Sequence, residues 1–248
     1  MEVHHHSHTA RKKWTHYFWE FLMLFLAVFC GFLAEYKLEH TIEHQREKQY
    51  MNSLISDLKA DTNMLNNGIL RKIDRVSAID SVFVFFYNNK NVQKISGKAY
   101  KILRRTTFDQ RLVRSTITIN QLKNAGGMRL VRNRQVADSI AAYDFNCERY
   151  NPYNENYLSH QQLNYRHFEK MVVISDILPL YVENRSIAIT TNIPDNIDIK
   201  VNTTGINDYM GLLMQTKIFA LQEILEFKRL KNSAVNLITL IKKEYHLK

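Results

Sequence analysis

Two histidines and a glutamate in one short stretch of the sequence have the spacing of a metal site. In the segment EHTIEH, His40, Glu43 and His44 follow the order H-x-x-E-H. Residues four apart share one face of a helix, so His40 and His44 could bind a zinc ion through their imidazoles. Glu43 would lie beside them, where its carboxylate could act as a base toward a zinc-bound water. The motif therefore makes a zinc peptidase one functional hypothesis.

The surroundings of this motif favour a solvated helix face over a metal site. The H-x-x-E-H order resembles that of inverted zincin peptidases, in which a further acidic ligand comes from a second helix downstream. Where that ligand is expected, residues 110–139 contain one acid, Asp138. Glutamates recur every four residues from Glu35 to Glu47, a pattern typical of a water-exposed helix face. We therefore predict no cofactor and at most weak metal binding by the two histidines, and keep a zinc metallopeptidase as the alternative function.

The most apolar part of the chain, residues 17–34, reads YFWEFLMLFLAVFCGFLA and contains one charged side chain. As a helix these residues would extend about 27 Å, close to the thickness of the hydrocarbon core of a bilayer. We predict a transmembrane anchor over residues 14–35. Because Arg11, Lys12 and Lys13 precede it, the positive-inside rule predicts a cytoplasmic N-terminus and an external C-terminal part.

A cleaved signal peptide, or a lipoprotein signal ending at Cys30, is the competing interpretation of this segment. Phe29 occupies the position before Cys30 where a lipobox requires a small residue. No small-x-small cleavage site precedes Glu35. We therefore expect the segment to be retained as an anchor.

One face of the predicted anchor combines small residues with a carboxylate. At about 100° per residue, this stripe contains Glu20, Ala27, Gly31 and Ala34. Small residues spaced in this way let two membrane helices approach closely, and a protonated or hydrogen-bonded Glu20 could bridge them. We expect either a homo-oligomer that forms through this face, or a Glu20 side chain that reaches the membrane interface beside His16.

Few turn-forming residues interrupt the rest of the chain. The 248 residues include 7 glycines and 3 prolines, which favours long helices over a strand-rich or loop-rich fold. We predict an all-α fold in which the anchor continues as one long helix into an elongated antiparallel helical bundle. The expected parts are a basic, histidine-rich cytoplasmic tail (1–13), the anchor (14–35), a charged helical stalk (36–50) and a helical domain (51–248).

Apolar spacing and helix-breaking residues predict the packing faces and boundaries of these helices. The Gly126-Gly127 pair is expected to end one helix, and Asn133 to cap the next, which Pro152 should end. Alternating apolar residues predict a short β-hairpin near 187–201. The first long helix is expected to pack through a stripe with a period of about 3.6 residues. This stripe comprises Met51, Leu54, Leu58, Thr62, Leu65, Ile69, Ile73, Val76, Phe83 and Tyr87.

A single segment accounts for the net charge of +10. Residues 90–134 contain 12 lysines and arginines and one acid, Asp109, whereas the remaining residues nearly balance. Such a segment attracts acidic proteins, acidic polysaccharides, lipid headgroups or nucleic acid. Nucleic acid is the least expected partner, because Phe108 is the one aromatic residue between positions 104 and 134. A charge-dense stretch is equally expected as a solvated face without a partner. If the segment is functional, the predicted patch for an acidic envelope partner comprises Arg104, Arg105, Arg111, Arg114, Arg129, Arg132 and Arg134.

Three blocks of the sequence resemble one family of membrane proteins. The blocks are KKWTHYFWEFLMLFLAVFCGFLAEY, REKQYMNSLISDLKADT and QLKNAGGMRLVRNRQVADSIAAYD. Their combination is similar to an uncharacterised family of single-span membrane proteins from Bacteroidota, which carries a domain of unknown function. The resemblance implies a bacterial inner-membrane location and a helical fold, and it assigns no catalytic residue. With the positive-inside rule, it predicts a C-terminal domain in the periplasm.

The leading hypothesis is therefore a non-enzymatic interaction, scaffold or accessory protein of the bacterial cell envelope, a class that includes sensory subunits. Its expected partners are the lipid bilayer, other envelope proteins and an acidic partner for the basic segment. Cys147, in the middle of a predicted helix, is interpreted as an ordinary helical residue rather than a nucleophile.

Overall fold

The computed structural model describes residues 14–107, 109, 113–124, 126–179 and 193–247, apart from the side chains of 152–154. Helices make up most of this part of the chain, together with one pair of short strands. In chain order these elements are α1 (Trp14–Asn88), β1 (Lys94–Ser96), α2 (Gly97–Thr107), α3 (Ile117–Asn124), α4 (Arg134–Met171), β2 (Asp198–Lys200) and α5 (Thr203–Tyr245). Short 3-10 helices lie at Gly127–Leu130 and Ile174–Asp176. The predicted all-α fold is confirmed.

The chain divides into two compact units, Met1–Gln49 and Tyr50–Lys248, and α1 contributes to both. Near its N-terminus α1 contains an 18-residue window of mean hydropathy 2.0, none of which is buried. A core helix of a soluble protein would be mostly buried, whereas a signal sequence has a similar length and composition. Among the described residues, α1 is the one helix that is long and apolar enough to cross a membrane.

Within the second unit, α1 and α5 each have one row of buried positions, which we call the seam. Successive positions of a seam are alternately three and four residues apart. In α5 this series is unbroken from Tyr209 to Ile241. In α1 the series starts at Met51 and ends at Val82, with Gly68 at one position against the ring of Phe227. Alternating steps of three and four average 3.5 residues, the repeat of left-handed coiled-coil packing.

The predicted packing face of α1 is largely correct up to Ile69 and wrong at Ile73 and Tyr87, while Val76 and Phe83 are partly buried. Leu65 is buried as expected, but Ile73 and Tyr87 are 48% and 80% exposed. A stripe drawn at about 3.6 residues drifts from a 3.5-residue seam by about 20° per heptad. Because this drift accumulates along α1, the predicted stripe leaves the buried seam in its second half. Lys72 and Arg75 occupy the buried positions there.

Helices α1 and α5 run antiparallel in this unit. Lys231 donates to Asn66 over 2.8 Å, and Lys217 forms an ion pair with Asp80. Residue numbers therefore rise along one helix while they fall along the other. This arrangement confirms the predicted antiparallel packing of the first and last helices.

Two apolar clusters hold the helices of this unit together. One joins α1, α3, α4 and α5 and includes Leu65 and Leu237. The other joins α1, α2, α4, α5 and the strand pair, and includes Ile79 and Phe168. Along α1, the clusters lie on either side of the two charged seam positions.

The residues predicted to delimit helices act as expected, with one exception. Gly126 follows α3 with a positive φ of 67°, which side chains other than glycine rarely adopt. Asn133 caps α4 by accepting a backbone N–H through its side chain. The helix end predicted at Pro152 is wrong, because α4 runs through this residue. Proline removes one helical hydrogen bond, but the buried Tyr150 and Tyr157 on either side hold α4 in the core.

The strand pair corrects the predicted hairpin. β2 has the extended conformation expected there, but it pairs antiparallel with the distant β1, with Ile95 opposite Ile199. Residues 187–192, the other predicted arm, lie outside the described residues. The strand pair therefore ties the start of α2 to the segment before α5, and Gly97 N–H donates to the Ile197 carbonyl over 2.9 Å at this junction.

Gly97→Ala is expected to lower the free energy of unfolding by about 1–3 kcal/mol. A Cβ at this position would lie 1.9 Å from the Pro194 carbonyl oxygen. The backbone at position 97 and the backbone at Pro194 would therefore have to move apart. Gly211→Ala is the matched control, because a Cβ there meets no atom within 4 Å. The control should raise the free energy by about 0.5–1 kcal/mol, since alanine is the better helix former. Urea titrations followed by circular dichroism measure both changes, and equal midpoints would contradict the prediction.

Candidate functional site

A network of charged and phenolic side chains fills the core between the two apolar clusters. Lys72 and Arg75 are 1% and 2% exposed, and burial of charged groups is tolerated only when they are paired and hydrogen-bonded. We call the whole set the buried network. It consists of Lys72 and Arg75 of α1, Asp109 after α2, Tyr150 and Tyr157 of α4, and Glu223 of α5.

Lys72 connects the acids of the buried network. Its Nζ donates to Asp109 Oδ2 over 2.8 Å and to Glu223 Oε2 over 2.6 Å. Nζ also lies 4.6 Å from the centre of the Tyr157 ring, within the range of a cation–π interaction. One ammonium group thus bridges carboxylates from two separate segments of the chain.

Arg75 and two phenols complete the hydrogen bonding of these acids. Arg75 Nε donates to a backbone carbonyl of α2 over 2.8 Å, and its Nη1 donates to Asp109 Oδ2 over 3.1 Å. The Tyr157 hydroxyl also donates to Asp109. The Tyr150 hydroxyl donates to Glu223. Each carboxylate therefore accepts from at least one cation and one phenol.

Burial and neighbouring charges shift the pKa values of the network in different directions. Burial pushes the pKa of Asp109 upward, but Lys72, together with Tyr157 and Arg75, outweighs this effect, and the pKa is lowered. For Glu223 burial dominates and raises the pKa despite the same lysine. Burial also raises the pKa of the Tyr150 and Tyr157 hydroxyls, so both remain protonated donors.

A cavity of about 650 Å³ lies between α4 and α5 beside the buried network. Tyr150, Tyr157 and Glu223 belong to both the network and the wall of the cavity. Its volume falls within the roughly 300–1,000 Å³ of small-molecule sites. A cavity next to groups with shifted pKa values is a common feature of functional sites, and we take the network and cavity together as the candidate site.

A second polar cluster joins α1, α3 and α4. Asp144 accepts from Arg114 over 2.7 Å and from Lys123 over 2.8 Å. On the α1 side, Asp61 accepts from the Tyr143 hydroxyl over 2.9 Å. It also accepts a backbone N–H from the segment before α3 over 2.8 Å. The carboxylates of this cluster are thus engaged in holding three helices together.

Cys147 lies in the core of the second unit and is 5% exposed. Burial raises the pKa of its thiol, and this effect outweighs the nearby charge of Arg114, which would lower it. A buried, protonated thiol is a poor nucleophile. These observations support the interpretation of Cys147 as an ordinary helical residue.

Three arginines of the predicted basic patch are engaged in contacts within the protein. Arg105 pairs with Asp74 of α1. Arg114 pairs with Asp144 of α4 over 2.7 Å. The Arg104 guanidinium lies 5.6 Å and 5.8 Å from the centres of two aromatic rings of α4. Acids from other helices therefore compensate part of the charge of residues 90–134.

The other arginines of this patch differ in their surroundings. Arg129 and Arg132 are exposed, and Arg134 is exposed 3.8 Å from Asp138. Arg111 lies outside the described residues. Three exposed arginines of the predicted patch thus lie between the 3-10 helix and the start of α4, whereas the exposed Arg105 is paired with Asp74.

The EHTIEH motif lies on α1 in the first unit, and its histidines contact glutamates. His40 Nδ1 is 3.8 Å from Glu43, and His44 Nδ1 is 3.3 Å from Glu47. In the part of the chain that the structure describes, no group of three or more His, Cys, Asp or Glu side chains is arranged to hold a metal ion. The third ligand required for a zinc peptidase is therefore not supplied by a described residue.

The predicted self-association face of the anchor is exposed along α1. Glu20 lies 3.2 Å from His16, the contact expected if its carboxylate is directed along its own helix. Ala27 and Ala34 are exposed, and a Cβ at Gly31 would meet no atom within 4 Å. The face has room for a second helix, and self-association stays a prediction.

These features define an all-α protein with a helical unit that contains buried charges; among the described residues, one helix is long and apolar enough to cross a membrane. No protein-family model, curated protein or solved structure matches the chain. Its function must therefore be inferred from the arrangement of its own residues.

The buried network was not predicted from the sequence, although part of the network has a detectable sequence signal. Steps of three and four residues from Met51 reach Lys72 and Arg75, and the same steps along α5 reach Glu223. Charged residues at the seam positions of a 3.5-residue repeat indicate buried polar contacts. Asp109 has no such signal, because it comes from outside the helices.

Lys72→Met is expected to lower the free energy of unfolding by about 3–5 kcal/mol at pH 7, because the buried Glu223 loses its cation and Asp109 keeps Arg75 alone. Without Lys72, burial would raise the pKa of Glu223 further, because the lysine charge and hydrogen bond no longer oppose it. The folded variant would then take up protons more readily than the unfolded chain. The decrease in the free energy of unfolding caused by Lys72→Met should therefore become smaller as the pH falls toward 5.

Lys217→Met is the matched control, because it breaks a partly exposed lysine–aspartate pair between the same two helices. It should cost about 1 kcal/mol or less at both pH values. Denaturant titrations at the two pH values measure these changes. A loss for Lys72→Met that equals the control, or that does not depend on pH, would refute the expected role of Lys72.

Proposed function

We propose that this protein is a single-pass, membrane-anchored interaction protein of the bacterial cell envelope, of a scaffold, accessory or sensory type. The observation that carries the proposal is the apolar window of α1, which has a mean hydropathy of 2.0 and no buried residue. An exposed apolar surface of this extent needs a covering environment, and its length matches a bilayer. The same helix, Trp14–Asn88, continues into the second unit.

The proposed location is the bacterial inner membrane, with the N-terminus in the cytoplasm and the second unit in the periplasm. Arg11, Lys12 and Lys13 before the apolar segment support this orientation under the positive-inside rule. The resemblance of three sequence blocks to the Bacteroidota family supports the bacterial location.

The hydrogen bonding of the buried network supports a structural role for its charged groups. Lys72 and the two phenols donate to the carboxylates of Asp109 and Glu223. A general base or nucleophile would instead face the substrate with its reactive atom. The buried charges thus contribute mainly to the arrangement of the helices.

The exposed arginines around the start of α4 are the proposed contact for an acidic envelope partner. Arg129 and Arg132 are exposed, and the Arg134 side chain is 94% exposed. Exposed arginines of this kind increase association rates with an acidic surface and add specificity. Arg114 of the same segment contributes less, because its side chain is 14% exposed where it pairs with Asp144.

Replacing Leu24 and Val28 with arginine is expected to release the full-length chain from membranes. Both side chains are about 70% exposed in the apolar stretch of α1, and each arginine costs roughly 2.5–3.5 kcal/mol at the centre of a membrane helix. The control replaces Leu70 and Val84, which are exposed on the same helix within the second unit. Carbonate extraction and immunoblotting should find the wild type and the control in the pellet. Wild-type protein in the supernatant would overturn the membrane proposal.

A photo-crosslinking amino acid at Asp138, beside Arg134, is expected to form one discrete adduct in the native membrane. Replacing Arg129, Arg132 and Arg134 with glutamine should reduce this adduct by about tenfold, because the attraction to an acidic partner is lost. About 0.5 M salt during labelling should reduce it as well. Gel electrophoresis and mass spectrometry measure the adduct.

The control for this experiment neutralises exposed basic residues away from the patch. Replacing Arg166, Lys170 and Lys228 with glutamine changes the net charge by the same amount and should leave the adduct unchanged. Equal effects of the two triple variants would argue against a specific contact through the arginine patch.

A further inference from the structure

Three aromatic side chains line the cavity between α4 and α5. Tyr150 and Tyr157 are each 6% exposed, and Phe219 is 40% exposed. The two tyrosine hydroxyls donate to Glu223 and Asp109 of the buried network. The hydroxyls are therefore engaged within the network, and the tyrosines face the cavity with ring carbon atoms. A ligand would contact these aromatic rings as an apolar part of the wall.

The charged residues of the cavity wall leave one cation without a counter-ion. Glu223 forms an ion pair with Lys72 of the buried network, with Nζ and Oε2 2.6 Å apart. Glu226 accepts from Arg229 over 2.7 Å. Arg149 also lines the cavity, is exposed and forms no ion pair within the described part of the chain. The cavity therefore combines an apolar wall with one guanidinium.

We propose that this cavity binds a small amphipathic carboxylate, with the carboxylate on Arg149 and an aromatic or aliphatic body against Phe219 and the tyrosine rings. A guanidinium matches a carboxylate through two parallel hydrogen bonds, which favours this anion over an uncharged group. Three amide side chains of the wall, Asn146, Asn156 and Gln222, can bind further polar atoms of the ligand. The site belongs to the second unit, and the inference holds whether or not α1 crosses a membrane.

Equilibrium dialysis of the full-length protein in lipid nanodiscs tests this site. The probe is radiolabelled 1-naphthaleneacetate, which combines a carboxylate with a flat aromatic body, and empty nanodiscs measure its partition into lipid. We expect saturable binding of one molecule per chain. The uncharged analogue 1-naphthaleneethanol has the same body, and it should bind at least about tenfold more weakly because it lacks the charge-assisted hydrogen bonds.

Two arginines of α4 provide a matched pair of variants. Arg149→Gln should weaken binding of the carboxylate by about tenfold and leave binding of the alcohol unchanged. Arg166→Gln should change neither affinity, because this arginine is exposed on the same helix but does not line the cavity. Gln222→Trp should weaken both ligands, since the larger side chain fills the cavity. Circular dichroism checks that each variant is folded.

Three results would overturn the proposal. The first is binding to the protein that does not exceed binding to empty nanodiscs. The second is equal affinity for the carboxylate and the alcohol, which would assign the cavity to uncharged ligands. The third is an equal effect of Arg149→Gln and Arg166→Gln, which would reduce the interaction to non-specific charge attraction.

Discussion

The packing of the second unit depends on one buried ammonium group. Lys72 is 1% exposed, and removing such a charge from water costs several kcal/mol unless acids approach it closely. Asp109 and Glu223 meet this condition with bonds of 2.8 and 2.6 Å. They come from the segment after α2 and from α5, far from α1 in sequence. The requirement to neutralise one lysine therefore holds three segments of the chain in a defined arrangement.

We infer that this contact specifies the register of α1 against α5 more than it adds stability, because well-packed apolar residues often stabilise a core as much as a buried ion pair does. A regular 3.5-residue repeat alone would also permit a shift by one heptad. Such a shift would place Lys72 opposite Thr216 or Leu230 instead of Glu223. It would leave Glu223 opposite Leu65 or Ile79. Each alternative buries unpaired charges, so only the observed register satisfies both helices.

What the sequence predicted correctly depends on local rules, and what it missed depends on distant contacts. The positive φ at Gly126 and the cap at Asn133 follow from neighbouring residues alone. The ion pairs of Arg105 and Arg114 do not, because their acids lie on α1 and α4. The net charge of residues 90–134 therefore overestimates how basic the corresponding protein surface is. The continuation of α4 through Pro152 was missed for the same reason, since tertiary packing outweighs the local preference of proline.

The buried network and the cavity share Tyr150, Tyr157 and Glu223, which gives a ligand a direct physical connection to α1. A carboxylate held at Arg149 would add negative charge to the wall that contains Glu223, and a like charge nearby raises the pKa of a carboxyl group. Lys72 would then be held less strongly by Glu223 than by Asp109. A ligand shifts a conformational equilibrium only by its difference in affinity for the two states. A sensory role for this protein therefore requires that the hydrogen bond between Lys72 and Glu223 differ between the empty and the occupied cavity.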